Sequence, residues 1–326
     1  METKEKHMSK DAESHNPLVM ILLATYNGEK YLRDLIDSIL NQTYKKWVIM
    51  VSDDGSADST LEILKEYQQK HLKKILIVEK DSQSGSACGN FFYLMEHCAD
   101  AYMMFCDQDD VWEPYKIEIT LKRLLEIEKI EEKQPALVFT DLAVVDGTLQ
   151  PIASSFIRYS KLNANRVGLH QLLIQNTVTG CTVMINKPLR DMALEVQNKE
   201  NIMMHDWWLA LVASLFGVIG YVDRATIQYR QHENNEVGAT NTRSVSYLLN
   251  RLFNNNVIKK SLCDTTVQAG ELFAVFGDRM SEKDRAIVKG YSQLYQKSKL
   301  TRLAFIIKNR IFKYGAARKL AQILLG

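Results

Sequence analysis

Four short apolar runs in the first third of the chain, each ending in a polar loop and each followed by apolar positions at helical spacing, narrow the fold to a few topologies. Leu18 to Ala24 is a continuous apolar run bounded by Pro17 and the turn-forming Asn27-Gly28, and Tyr31, Leu32, Leu35, Ile36, Ile39 and Leu40 then fall at helical spacing. Trp47 to Val51 repeats the strand signal, Ser52-Asp53-Asp54-Gly55-Ser56 is a loop, and Asp58-Ser59-Thr60 supplies N-cap chemistry for a helix carrying Leu61, Leu64 and Tyr67. Ile75 to Val78 reads as a third strand, with a helix through Asn90 to Cys98, and Ala101 to Cys106 as a fourth, with a helix near Tyr115 to Glu132. Runs apolar at every position are buried on both faces, so this alternation predicts a mostly parallel sheet with helices on both sides.

Open sheets of this kind bind ligands beyond the carboxyl ends of their strands. The fourth run delivers Cys106-Asp107-Gln108-Asp109-Asp110 to that edge, three carboxylates within four positions. Like charges this close repel unless a cation or a donor-rich ligand offsets them. Oxygen-only donors suit Mg²⁺ or Mn²⁺ completed by substrate phosphates, which points to a metal-bound phosphate substrate; a solvated acidic turn is the plainer reading. The loop Thr25-Tyr26-Asn27-Gly28 suits backbone contacts to a nucleotide, and Asp53 or Asp54 suits a ribose hydroxyl or base nitrogen, or else a capped turn. The absence of GxGxxG and Walker motifs counts against a dinucleotide oxidoreductase or P-loop enzyme.

The chain has 326 residues, 46% of them apolar and 25% charged, an ordinary globular composition. Its five cysteines show no CxxC pair, so reduced thiols in a cytosolic protein are expected. Residues 1–16 are polar and lack a signal-peptide core, and no run approaches a membrane span. Between Arg285 and Gly326 ten Lys and Arg stand without one acid, so the net charge of +2 conceals a segment of +10 against −8 elsewhere. Leu300, Leu303, Phe305, Ile306, Ile307, Ile311, Phe312, Leu320, Ile323, Leu324 and Leu325 are interleaved with those cations, a pattern that suits either a helix on an anionic membrane or one packed on the catalytic domain with a basic outer face. Nothing else in the chain resembles a nucleic-acid module. The expected organisation is a flexible segment over 1–16, a catalytic domain over 17–240 and a helical basic region over 241–326, with a homo-oligomer left open.

In their order and separations, the loops containing Thr25-Tyr26-Asn27-Gly28, Ser52-Asp53-Asp54-Gly55-Ser56 and Asp107-Gln108-Asp109-Asp110 resemble family 2 glycosyltransferases of the GT-A fold. The resemblance implies that Thr25, Tyr26 and Asn27 contact the nucleotide and that Asp53 or Asp54 binds its base. It also implies a DxD element in which Asp107 and Asp109 hold the cation that bridges the diphosphate, with Asp109 the direct ligand. Gln83 and Asn90 occupy the place of the family's third nucleotide-binding loop, and Gly180 sits where members line the acceptor side.

The family's general base, usually in a Glu-Asp pair before aromatic residues, matches Met204-His205-Asp206-Trp207-Trp208, so Asp206 takes the base role and His205 replaces the glutamate. Together with Cys106-Asp107-Gln108-Asp109-Asp110-Val111-Trp112, this is similar to bacterial rhamnosyltransferases of cell-wall or capsular polysaccharide synthesis. Independently of the likeness, a positioned carboxylate is what a weakly nucleophilic sugar hydroxyl needs, and Trp207 and Trp208 offer faces on which a sugar ring stacks. The resemblance further implies His232 as a third metal ligand, since some metal-dependent members use a histidine at a comparable place, with Arg230 near the diphosphate.

The implied reaction is inverting transfer of a sugar, L-rhamnose from dTDP-rhamnose or a hexose from a UDP donor, to a lipid-linked acceptor at the inner face of the membrane. A metal-dependent nucleotidyltransferase and a non-catalytic sugar-binding membrane protein are the competing classes.

Overall fold

The structure, a computed structural model, describes residues 16–130, 134–231 and 255–325. The four apolar runs form β1 (Val19–Thr25), β2 (Trp47–Asp53), β3 (Ile75–Ile77) and β4 (Tyr102–Cys106), paired in parallel in the order β3-β2-β1-β4. Helices α1 (Leu32–Leu40), α2 (Thr60–Lys70) and α3 (Ala87–His97) connect them. Alternate residues of β1 serve opposite cores. Val19, Ile21 and Leu23 join Leu35, Ile36 and Leu64, whereas Met20 and Leu22 join Phe91 and Phe92. The unbroken apolar runs are therefore the signature of a strand buried on both faces.

After β4 come β5 (Val111–Trp112), α4 (Lys116–Glu128), β6 (Ala136–Asp146), β7 (Pro151–Ala153), β8 (Met184–Asn186), α5 (Lys187–Ala193), α6 (His205–Phe216) and β9 (Val218–Gln231). Short β8 lies antiparallel between β4 and β6, β9 runs parallel to β6, and β5 closes the edge, giving the order β3-β2-β1-β4-β8-β6-β9-β5 with β7 paired to β6. This is the α/β, mostly parallel sheet expected. The sequence pattern marks a further apolar stretch at 179–185, which overlaps β8, but of β6 and β9 it predicts strand only at 136–140 and 225–229, because the β6–β9 ladder is irregular around Thr140, Asp141 and Ala143 and carries polar residues through the break. Asp141 is buried there and accepts from the amides of Leu142, Phe156 and Ile157, so a residue that reads as a strand end lies inside one.

Four helices follow residue 254: α7 (Asn255–Phe276), α8 (Glu282–Ser292), α9 (Lys299–Asn309) and α10 (Ala316–Leu325). Ser281 and Ser298 cap the second and third by accepting from the amides of Asp284 and Thr301. Leu262, Leu272, Phe276, Ile306 and Ile311 join the core cluster that contains Trp208 of α6, and the rings of Trp208 and Phe276 lie 6.0 Å apart. Glu271 ties α7 to the preceding segment by accepting from the amides of Gln197 and Asn198 at 2.9 Å. The basic segment thus packs on the sheet assembly through part of its apolar surface. Its other apolar residues face outward: Leu300 is 81% exposed, Ile307 55%, Leu320 58% and Leu324 59%. No helix among the described residues is long and apolar enough to cross a membrane. The expectations for residues 1–15 and for the start of the helical region, 241–254, lie outside the described residues, as does His232.

Candidate active site

A cleft of about 1000 Å³ opens beyond the carboxyl ends of the parallel strands. The loop after β1 and the loop after β2 form its first wall and are tied together by hydrogen bonds. Thr25 Oγ1 donates to Asp53 at 2.8 Å, the Asn27 amide donates to Ser56 Oγ at 2.8 Å, and Asn27 Oδ1 accepts from the Ala57 amide at 2.9 Å. Asp53 also accepts from the amides of Gly55 and Ser56. Asp53 and Asn27 are therefore loop braces and do not line the cleft, which corrects the expectation of nucleotide contacts from them: their polar atoms close the turn they sit in.

Asp54 does line the cleft, and its carboxylate is already engaged. It pairs with Lys80 and accepts from the amides of Ser84 at 2.6 Å and Gly85 at 2.9 Å. Burial alone would raise its pKa, but the hydrogen bonds from Lys80 and these amides hold it below the usual carboxylate range. Lys80 also donates to Ser84 Oγ at 3.0 Å and to Asn90 Oδ1 at 3.1 Å, and Asn90 Nδ2 donates to the Ser52 carbonyl at 2.8 Å. Lys80 thereby knits the second and third loops and holds Asn90 at the cleft wall, which Gln83 also lines. Sequence reading missed it; an apolar run ending in Glu79-Lys80 gave no sign that the ammonium turns inward.

Gln108, the middle residue of the acidic loop, is a second omission. Its side chain grips the Tyr26 backbone from both sides, accepting from the amide at 2.9 Å and donating to the carbonyl at 2.8 Å. A Cβ on Gly28 would stand 2.3 Å from Gln108 Oε1, so the glycine makes room for this clamp. The clamp carries the β1 loop, with Thr25 and Tyr26, to the same cleft edge as Asp107 and Asp109.

Asp110 points elsewhere. It is completely buried, with the Cys181 side chain and the Arg230 backbone as polar neighbours that favour the ionised form. Ligand atoms of Asp107, Asp110 and Cys181 lie within 4.8 Å of one another. Burial first, then the charges of Asp109 and Asp107, drive the Asp110 pKa far above its ordinary value. Beneath it, buried Lys116 donates to the Cys181 carbonyl at 3.0 Å, and burial lowers its pKa to about 8. Crowded carboxylates are what a divalent cation relieves, and Asp107 and Asp109 are oxygen donors of the type Mg²⁺ and Mn²⁺ take.

Opposite this acidic edge, Asp206 begins α6 and faces the cleft. Burial raises its pKa to about 7 although it accepts from the amides of Trp207, at 2.6 Å, and Gly180. His205 beside it is buried, its ring 4.2 Å from that of Phe91 and 4.9 Å from that of Phe105, and burial takes its pKa down to about 3. Gly180 abuts this ring directly: a Cβ there would meet His205 Nε2 at 3.0 Å. Trp207 lines the cleft and donates to the Leu172 carbonyl at 2.6 Å, but Trp208 is fully buried and donates to the Ala193 carbonyl at 2.9 Å. Trp208 is thus a core residue, not an acceptor contact, because adjacent helix positions point about 100° apart.

Arg230 is a further correction. Its guanidinium pairs with Asp34 and donates to the Gly147 carbonyl at 3.1 Å beneath Tyr31, while its neighbour Tyr229 is the residue of β9 that lines the cleft. Strand alternation turns Arg230 to the face opposite Tyr229, away from the cleft.

Fold and cleft together define a GT-A glycosyltransferase. Residues 20–169 match the family model Glycosyl transferase family 2. The dTDP-rhamnosyl transferase RfbG of Shigella flexneri is 30% identical over 249 residues, covering 74% of this chain and 82% of that protein. TuaG of Bacillus subtilis (strain 168), a glycosyltransferase provisionally assigned to teichuronic acid biosynthesis, is 30% identical over 223 residues, covering 67% of this chain and 81% of the relative. Among solved structures, S. aureus TarS 1-349 in complex with UDP superposes with a TM-score of 0.53 at 17% identity, over 90% of this chain and 87% of that one. The chain belongs to glycosyl transferase family 2 and is a sugar-transferring enzyme.

Proposed function

We propose that this enzyme transfers L-rhamnose from dTDP-rhamnose to a lipid-linked glycan during surface polysaccharide synthesis, with inversion in a single displacement. The observation that carries the mechanism is Asp206, a carboxylate at the cleft with a pKa near 7, where a base both holds enough of its ionised form and pulls hard enough on a hydroxyl proton. The donor assignment is supported by the name of the Shigella flexneri relative. Nucleotide contacts fall to Thr25, Tyr26, Asp54, Gln83 and Asn90 along the first wall. Asp107 and Asp109 would hold Mg²⁺ or Mn²⁺, and such an ion would supply charge neutralisation for the departing diphosphate. Asp206 accepts the proton of the acceptor hydroxyl as that oxygen attacks the anomeric carbon from the face opposite the nucleotide. Trp207 offers its exposed ring edge to the acceptor sugar. The outward apolar and basic surface of α9 and α10 attaches the enzyme to the inner leaflet.

Incubation with dTDP-rhamnose and, separately, a UDP-hexose, each with a membrane extract as acceptor source, tests the reading. A new rhamnosyl linkage that disappears with Asp206→Asn, with EDTA and with Asp109→Ala is the expected outcome. Donor binding survives Asp206→Asn, seen as an unchanged thermal shift with nucleotide sugar. Transfer from the UDP donor alone replaces the donor assignment, while release of free sugar or pyrophosphate without a new linkage refutes glycosyl transfer.

A further inference from the structure

Asn176, at the cleft wall in the segment that precedes β8, closes a turn and touches the base with a single amide group. Its Oδ1 accepts from the Val178 amide at 2.9 Å, and its Nδ2 donates to the Val178 carbonyl at 2.8 Å. Only the oxygen of a side-chain amide accepts, so these two bonds fix which way the group is turned. Nδ2 carries two hydrogens. One goes to Val178, and the other donates to the Asp206 carboxylate.

The segment beyond Asn176 is held along its length. The Thr182 amide donates to the Thr179 carbonyl at 2.9 Å and the Val183 amide to the Gly180 carbonyl at 3.0 Å, after which the chain enters β8. There Met184 pairs with Met104 of β4, the strand that delivers Asp107 and Asp109. Of the donors to Asp206, the Trp207 amide comes from α6, whereas the Gly180 amide and Asn176 Nδ2 come from this segment. The groups that hold the base are therefore joined through β8 to the strand that carries the acidic edge. Hydrogen bonds donated to a carboxylate favour its charged form and restrict its plane, while burial opposes the charge.

We propose that Asn176 is a positioning residue, whose Nδ2 holds the Asp206 carboxylate in the orientation from which it takes the acceptor proton. This rests on Asp206 being the base, and wild type alone tests that part. His205, beside Asp206 on α6, stays neutral over the working range because burial takes its pKa down to about 3. Asp54, Asp107, Asp109, Tyr229, Lys313 and Arg318 line the same cleft from other elements and are the same in every variant, so a change in pH profile originates at position 176.

The experiment uses the full chain, whichever of dTDP-rhamnose and the UDP-hexose supports transfer, and membrane extract at limiting concentration, where initial rates follow kcat/KM. Wild type is expected to break near pH 7 and fall on the acid side. Asn176→Ala removes the turn and the donor together. Asn176→Ser keeps an oxygen that accepts from the Val178 amide and removes Nδ2, which separates loss of the donor from loss of the turn. In both variants the break should rise by about one unit, so that rates at about pH 6 fall tenfold or more below wild type and recover in part toward about pH 9. The thermal shift with nucleotide sugar should equal that of wild type, which guards against a folding defect. An unmoved break in Asn176→Ser overturns the proposal, because Asn176 then only braces its turn. A wild-type profile with no break near 7 removes Asp206 as the base and takes the proposal with it, whereas a wild-type break that neither variant moves leaves the base in place and removes Asn176 alone.

Discussion

Asp206 sits where ionisation is costly, and that cost is measurable. Its pKa of about 7 in the folded chain stands above the ordinary value of 3.8. The folded state therefore holds the proton more tightly than the unfolded chain, and the associated stability, present at acid pH, is lost as pH rises through about 7. Asp206→Asn escapes this loss. In urea unfolding, the stability of the variant relative to wild type should grow between pH 5 and pH 8 by up to about 2–3 kcal/mol. For wild type, kcat/KM should fall about tenfold per pH unit below 7, and a flat profile across that range would exclude Asp206 as the base. Gly180 is linked to the same residue from behind. In Gly180→Ala the new methyl meets His205 Nε2 at 3.0 Å, and the ring has Phe91 and Phe105 against it and little room to retreat. A cost of about 1–3 kcal/mol is expected, with kcat falling more than donor affinity because the loop donating to Asp206 must shift. Gly180 does line the cleft, but the reason a glycine stands there is not written in its neighbours. Nothing in Thr179-Gly180-Cys181 reveals that a histidine 25 positions later occupies the missing side chain's space.

At the scale of elements, legibility followed how local the cause is. The four parallel strands and their helices were readable because burial on both faces writes itself into consecutive residues. Arg230 and Lys80 were not, since one answers Asp34 almost two hundred positions earlier and the other a carboxylate in the loop after the neighbouring strand. The same division separates the tryptophans of α6. Trp208 packs in the core with Phe276, so Trp208→Ala should cost about 3–5 kcal/mol in chemical denaturation. Trp207→Ala should cost less and instead raise the KM for acceptor, with the KM for donor unchanged. Lys80→Met should act on the donor side alone: Asp54 loses its buried partner, and the KM for nucleotide sugar should rise about tenfold or more while acceptor KM holds.

For the whole molecule the open matter is what the outward surface of the C-terminal helices does. Composition left two readings of that segment, packing or membrane contact, and the structure shows that one does not preclude the other. Ile306 and Ile311 enter the core, whereas Leu300, Ile307, Leu320 and Leu324 face outward among lysines and arginines. Deleting residues 297–326 would therefore strip a core face along with any lipid contact, and a loss of membrane recovery would have two causes. Leu320→Gln/Leu324→Gln separates them, because both side chains are more than half exposed. Thermal unfolding of this variant should match wild type within about 0.5 kcal/mol, as for surface substitutions generally. Wild type should sediment with vesicles rich in phosphatidylglycerol and not with neutral ones, and raising salt from about 0.1 to 0.5 M should release it, since surface charges are screened over that range. The double variant should remain largely in the supernatant at low salt. Equal sedimentation of the two proteins would mean that the exposed leucines do not enter a lipid surface.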